Sequence, residues 1–256
     1  MFGAELAFFY LNVVAELALL YRLIRCRLYG TYRSLFLYLL LQVVESIALL
    51  TAGQGTWLYV YIYWGAQSLN IFVALYVVQD LFYIALAEHP AIASFGRRSV
   101  LAAMALAAAV ALVGVTLDAT VLPGHYWGIQ RFLTFERTMN FVILIFLLLI
   151  SILLLWFPVE VRRNIVVYIS GFLLFAASRS SGLLLLNLLP QPATVIVSTV
   201  MLALTLLCLL IWIVGIRPEG ERTTATPGYR RDPEAMRRLG RQLDSINATL
   251  ARFVRS

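Results

Sequence analysis

One guanidinium stands in the middle of an apolar run: Ser178-Arg179-Ser180-Ser181-Gly182 interrupts the stretch from Ile165 to Leu189. A charged side chain at bilayer depth costs roughly 2.5–3.5 kcal/mol on insertion scales, and arginine stays ionised. Arg179 is therefore expected to face the interior of a helix bundle, with acids or water in reach. Candidate partners recur at helical spacing in the other runs. Glu5, Asn12 and Glu16 are spaced 7 and 4, and Tyr59, Tyr63, Gln67 and Asn70 are spaced 4, 4 and 3, so each set lies on one helix face. Gln42, Glu45 and Ser46 form a third group; Arg131, Glu136, Arg137 and Asn140 form a fourth; Asn187 lies two turns beyond Arg179.

Counting about 1.5 Å per residue from each run's end puts these groups in one half of the membrane, with Glu45 the first expected partner of Arg179 by depth and Glu16 the next. Two chemistries fit. Arg179, Glu45, Glu16, Glu136, Arg137, Asn140, Gln67 and Asn70 can be an ion-pair network that fixes helix register. They can equally line a water-filled pocket, open outward, that binds a small polar or anionic ligand or relays protons. The serines and glycine around Arg179 suit close packing or a local helix distortion.

Other chemistry is thinly represented. His89 and His125 fall in loops on opposite sides of the membrane and cannot share a metal. No nucleophile motif, phosphate loop or zinc signature is present, so no cofactor is implied and nothing points to an enzyme. All 20 basic residues are Arg, which excludes a retinal Schiff base. Cys26 and Cys208 are both expected toward the reducing side, so no structural disulfide is expected.

What must position these residues is a set of membrane helices. The chain of 256 residues is 62% hydrophobic, with mean hydropathy +0.87, far above soluble compositions. Seven apolar runs follow: roughly 5 to 24, 34 to 52, 57 to 83, 99 to 120, 130 to 156, 165 to 188 and 194 to 216. Each can cross a hydrocarbon core of about 30 Å. Acids precede the first arginines, so the first run reads as a retained helix and not a cleaved signal. Of the arginines, 17 fall in the loops after runs 1, 3 and 5 or in the C-terminal tail. That asymmetry predicts an N-terminus outside and a C-terminus inside, in a multi-pass protein of the cell membrane, the inner membrane if bacterial. The net charge of +7 is thereby ascribed to anionic headgroups, not to nucleic acid. Trp57, Tyr59, Tyr126 and Trp127 are expected at the outer interface, and Tyr21, Tyr83, Trp156 and Trp212 at the inner one. In run 4, Ala103, Ala107 and Ala111 suit close helix packing.

The expected fold is thus all-α and polytopic: a seven-helix transmembrane domain over 1–217, a linker over 218–231, and an amphipathic helix over 232–256. Asp232 and Pro233 can start that helix. Met236, Leu239, Leu243, Ile246, Leu250 and Phe253, spaced 3, 4, 3, 4, 3, give it one apolar seam. The seam suits a coiled coil with a protein partner or a second copy, or an inner leaflet facing Arg237, Arg238, Arg241, Arg252 and Arg255.

Arg27-Leu28-Tyr29-Gly30-Thr31-Tyr32-Arg33, the Leu86-Ala87-Glu88-His89-Pro90 loop, and Glu136-Arg137 followed by Asn140 resemble uncharacterised bacterial seven-span integral membrane proteins of this size. That resemblance implies no activity. The topology is also similar to seven-helix sensor modules that precede bacterial signalling domains, although no kinase or cyclase domain follows Ser256. Three functions are therefore expected in order. The first is a non-enzymatic sensor or receptor-like module with a polar pocket and an interaction tail. The second is a small-solute or ion carrier of parallel 3+1+3 plan, without the Pro-Gln element of SWEET-type sugar carriers. The third is an assembly or scaffold subunit.

Overall fold

A computed structural model describes residues 3–53, 56–86, 127–156, 161–188 and 191–225, with scattered positions of 94–109 and 241–249. Among the described residues there are six long helices: α1 (Gly3–Arg25), α2 (Arg33–Ala52), α3 (Trp57–Ala85), α4 (Trp127–Trp156), α5 (Arg163–Leu188) and α6 (Gln191–Gly215). Each contains an apolar window long enough to cross a membrane. The protein is membrane-embedded. The expected span 99 to 120 lies largely outside the described residues, together with Ala107, Ala111, His89 and His125; described positions from 94 to 109 are helical.

Neighbours in sequence pack side by side, and α6 closes against α1, giving a ring of six helices. The outer faces carry large exposed apolar side chains such as Leu11, Val14, Leu149, Ile152, Val200 and Val214, far more than a water-soluble surface shows.

The helix ends are set by local chemistry. α1 stops where Arg27 adopts φ 54. There Leu28 N–H reaches back to Leu23 O at 2.9 Å and Arg27 N–H to Ile24 O at 3.0 Å, a left-handed C-terminal cap built without glycine. Between α2 and α3, Gly53 at φ 71 permits the reversal. Thr56 then caps α3, its hydroxyl oxygen accepting from Tyr59 N–H at 3.2 Å.

Most of the described arginines gather at one end of the ring. Arg22 Nη2 donates to Ile216 O at 3.1 Å, which joins the last turns of α1 and α6. Ser34 on α2 donates to Asp80 near the end of α3 at 2.5 Å. At the far end, Phe132 of α4 packs on Tyr63 and Trp64 of early α3. α3 therefore ends at the arginine-rich end and α4 begins at the far one.

Inside the ring, aromatic side chains fill the arginine-rich half. Tyr32 meets Tyr168 edge-on, Tyr168 meets Trp212, and Phe172 stacks on both Phe175 and Trp212. Tyr38 adds edge contacts to Phe172 and Phe175 from α2. Trp212 is only 1% exposed, which corrects its expected place at an interface. An indole that can stack on Phe172 inside the bundle gains more from packing than from a headgroup layer. Gly171 admits it, since a Cβ there would overlap the indole. Gly182 likewise makes room for Met201 of α6; α5 is unbroken from 163 to 188, so the small residues near Arg179 serve close packing.

The linker expected from residue 218 is not loose where it is described. Pro218–Glu221 form a 3-10 turn. β2 (Thr224–Ala225) then pairs antiparallel with β1 (Val161–Arg162), Val161 opposite Ala225, and Arg163 N–H donates to Thr223 O at 2.9 Å. In the tail helix, Met236, Leu239, Leu243, Leu250 and Phe253 lie outside the described residues. Ile246 is helical and 47% exposed.

Candidate functional site

The polar residues of α2, α3, α4 and α5 meet as one hydrogen-bonded chain. Asn70 Nδ2 donates to Glu45 Oε2, and Gln67 Nε2 donates to Glu45 Oε1 at 3.1 Å. The same Gln67 accepts, through Oε1, from Arg179 Nη2 at 2.5 Å. Arg179 Nη2 also donates to Glu136 Oε1 at 2.6 Å. Glu136 is buried to 1% and Arg179 keeps 21% of its side chain exposed. Asn140 closes the α4 side by donating to the Glu136 carbonyl at 2.9 Å.

Arg179 thus pairs with Glu136, not with Glu45, which depth had ranked first. Depth fixes the level of a residue but not its azimuth. α4 is the ring neighbour of α5, whereas α2 lies beyond α3, so Gln67 spans the interval. Arg137, the residue after Glu136, is half-buried and makes no ion pair with the described residues. The cluster lies about 10–20 Å from the far ends of its helices, counted from Ala52, Trp57, Trp127 and Leu188.

Glu16 sits apart on α1. It lines a cavity of about 20 Å³ with Tyr38, Gln42, Phe175, Thr205 and Trp212, space for about one water. Gln42 Nε2 donates to Tyr38 Oη at 2.7 Å, and Tyr38 lies in electrostatic reach of Arg179, Glu16 and Glu45. One turn before Glu16, Asn12 Nδ2 donates to Leu202 O on α6 at 3.1 Å. No group of three or more His, Cys, Asp or Glu suited to a metal occurs among the described residues.

Two features had not been expected. Ser34 Oγ, which donates to Asp80, also lies 3.2 Å from Tyr168 Oη. The signal was present on α2 alone, where Ser34, Tyr38, Gln42 and Glu45 follow at 4, 4 and 3. The second feature is a latch on Glu221 at the arginine-rich end. Glu221 Oε1 accepts from Tyr32 Oη at 2.6 Å and from Asn164 Nδ2 at 2.6 Å, and Oε2 accepts from Arg162 at 2.8 Å. Asn164 also clasps the backbone of Arg217, donating to its carbonyl at 2.7 Å and accepting from its N–H at 3.1 Å. Burial, and then the Glu221 carboxylate, hold the Tyr32 phenol above its ordinary range.

Family models, curated proteins and solved structures provide no match to this chain.

Proposed function

We propose that this chain is a seven-span sensor or receptor-like module of the cell membrane, with the N-terminus outside and a C-terminal output segment inside. One observation carries the reading. The helices that hold the charge cluster also hold the start of the tail. α2 bears Glu45, and Tyr32 just before it binds Glu221; α5 bears Arg179, and Asn164 in its first turn binds Glu221 and Arg217. A rigid shift of either helix at the cluster reaches the tail without an intermediate.

The seventh span is supported by parity, because α3 ends at the arginine-rich end, α4 starts at the far end, and the apolar run 99 to 120 lies in the chain between them. The orientation is supported by the arginine asymmetry. The expected tail seam supplies a surface for a protein partner, a second copy or the inner leaflet.

The test is amide hydrogen exchange at 217–225 in nanodiscs, comparing wild type with Arg179→Leu/Glu136→Leu. Coupling predicts at least tenfold faster exchange in a variant that remains folded, and unchanged exchange defeats the sensor reading. The carrier reading draws on the two helix triples, α1–α3 and α4–α6, which run in the same sense. Solute uptake into proteoliposomes that survives removal of 226–256 would favour it. An unaltered stability and partner set after neutralising the whole cluster would favour a scaffold.

A further inference from the structure

The bundle interior is short of hydrogens. Asn12 Oδ1, Glu16 Oε2, Asn70 Oδ1 and Glu136 Oε2 are buried acceptors with no donor among the described residues. Ser180 Oγ is also unpartnered, and the remaining atom in that state, the donor Arg22 Nε, lies at the arginine-rich end. Buried acceptors left this way cost free energy comparable to a lost hydrogen bond or more.

The three acids differ in how they meet this shortage. Glu45 takes two amide hydrogens and Glu136 takes one from a guanidinium. No hydrogen bond reaches Glu16 from the described residues, yet it is 7% exposed in an apolar environment. It also lies in electrostatic reach of Glu45. A carboxylate without donors, facing a second carboxylate, is strongly disfavoured. A carboxyl O–H there resolves both problems. It removes one charge and supplies a donor one turn from the orphaned Asn12 Oδ1, on the same helix face.

We propose that Glu16 is a proton-binding site and that the proton is the ligand to which the bundle responds. The second half of this rests on the sensor reading. On release, the O–H bond of Glu16 breaks, the electron pair stays on the carboxylate, and the hydrogen passes to a water in the adjoining cavity and on to bulk as hydronium. Tyr38 Oη, whose oxygen already accepts from Gln42, has its own hydrogen free to bond that water or the new carboxylate. The new charge faces Tyr38 and Glu45 from α2. From α6 it meets Thr205, bonded to the Met201 carbonyl, and Cys208 is that helix's one titratable group. α5 contributes Phe175 at the cavity and Arg179 through Tyr38. No cation from these elements touches Glu16, so deprotonation sets α1 against α2.

The experiment is infrared difference spectroscopy between acid and alkaline pH on the full chain in nanodiscs, with hydrogen exchange at 217–225, expressed as protection relative to the unfolded peptide at each pH, followed in the same samples. A protonated-carboxyl band is expected in wild type, lost on alkalinisation in a one-proton transition. It should be absent in Glu16→Gln, shifted in Glu16→Asp and retained in Glu45→Gln. A band that survives unchanged in both Glu16 variants overturns the proton site. If the band titrates while latch exchange ignores pH, Glu16 binds a proton but the proton is not the ligand to which the bundle responds. If latch exchange follows pH equally in Glu16→Gln, the sensor reading stands and Glu16 is not its site.

Discussion

Gln67 decides how two acids share one arginine. Its amide faces a carboxylate with its nitrogen and a guanidinium with its oxygen, so Glu45 feels Arg179 without touching it. Removing one member of the direct pair strands the other. Arg179→Leu or Glu136→Leu alone should cost about 3–5 kcal/mol of stability. The double variant should recover more than half of that loss in thermal unfolding in detergent, and additive losses would show that the pair is uncoupled. The raised Tyr32 phenol gives a second test. Its proton is held more tightly in the folded state, so its contribution is complete below the ordinary tyrosine value of about 10 and is lost as pH rises beyond it. Above that pH wild type should destabilise more steeply than Tyr32→Phe, and equal slopes would remove Tyr32 from the latch. Six members of the polar cluster were legible in the sequence because charge in an apolar run is conspicuous, although Glu16 and Arg137, read with them, fall outside it. The pairing was not, because it depends on which helices are neighbours in the ring.

At the scale of elements, the sequence was readable wherever the solvent dictates structure. Six of the expected runs agree with helices to within about three residues at each end, since a chain in hydrocarbon must satisfy its backbone internally. Composition was less informative just after α6. Residues 218–225 look like linker by composition, yet they are held by backbone pairing to Val161–Arg162 and by Glu221. Proline, glycine and threonine announce a turn but not its destination. Two element-scale predictions follow from close geometry. Arg27 occupies a left-handed conformation, so Arg27→Gly should raise stability by up to about 1 kcal/mol, and a fall in the melting temperature would contradict the cap. Gly171→Ala should lower stability by about 1–3 kcal/mol and perturb tryptophan emission, because the added carbon meets the Trp212 indole.

The described bundle is polarised along its helices, with most of its arginines and the latch at one end and the charge cluster nearer the other. In a cysteine-free background, Trp57→Cys should label from outside and Gly30→Cys from inside, both positions being exposed; the reverse pattern would invert the topology. The polarity was legible from arginine counts alone. The aromatic fill was not, since Tyr32, Tyr168, Phe172 and Trp212 come from different parts of the chain. That fill has an electrical consequence. If it insulates Glu16 from the arginine-rich end, as the proposed proton site requires, a proton reaching Glu16 travels from the far end through roughly half of the transmembrane voltage. A full crossing is worth about 2.3 kcal/mol per 100 mV, and half of it about 1 kcal/mol, or roughly a fivefold change in occupancy. With the proposed orientation, an inside-negative potential should therefore load Glu16, moving its infrared midpoint in liposomes to higher pH. A midpoint that moves the other way would mean the proton arrives through the aromatic layer, and the insulator would be a conductor.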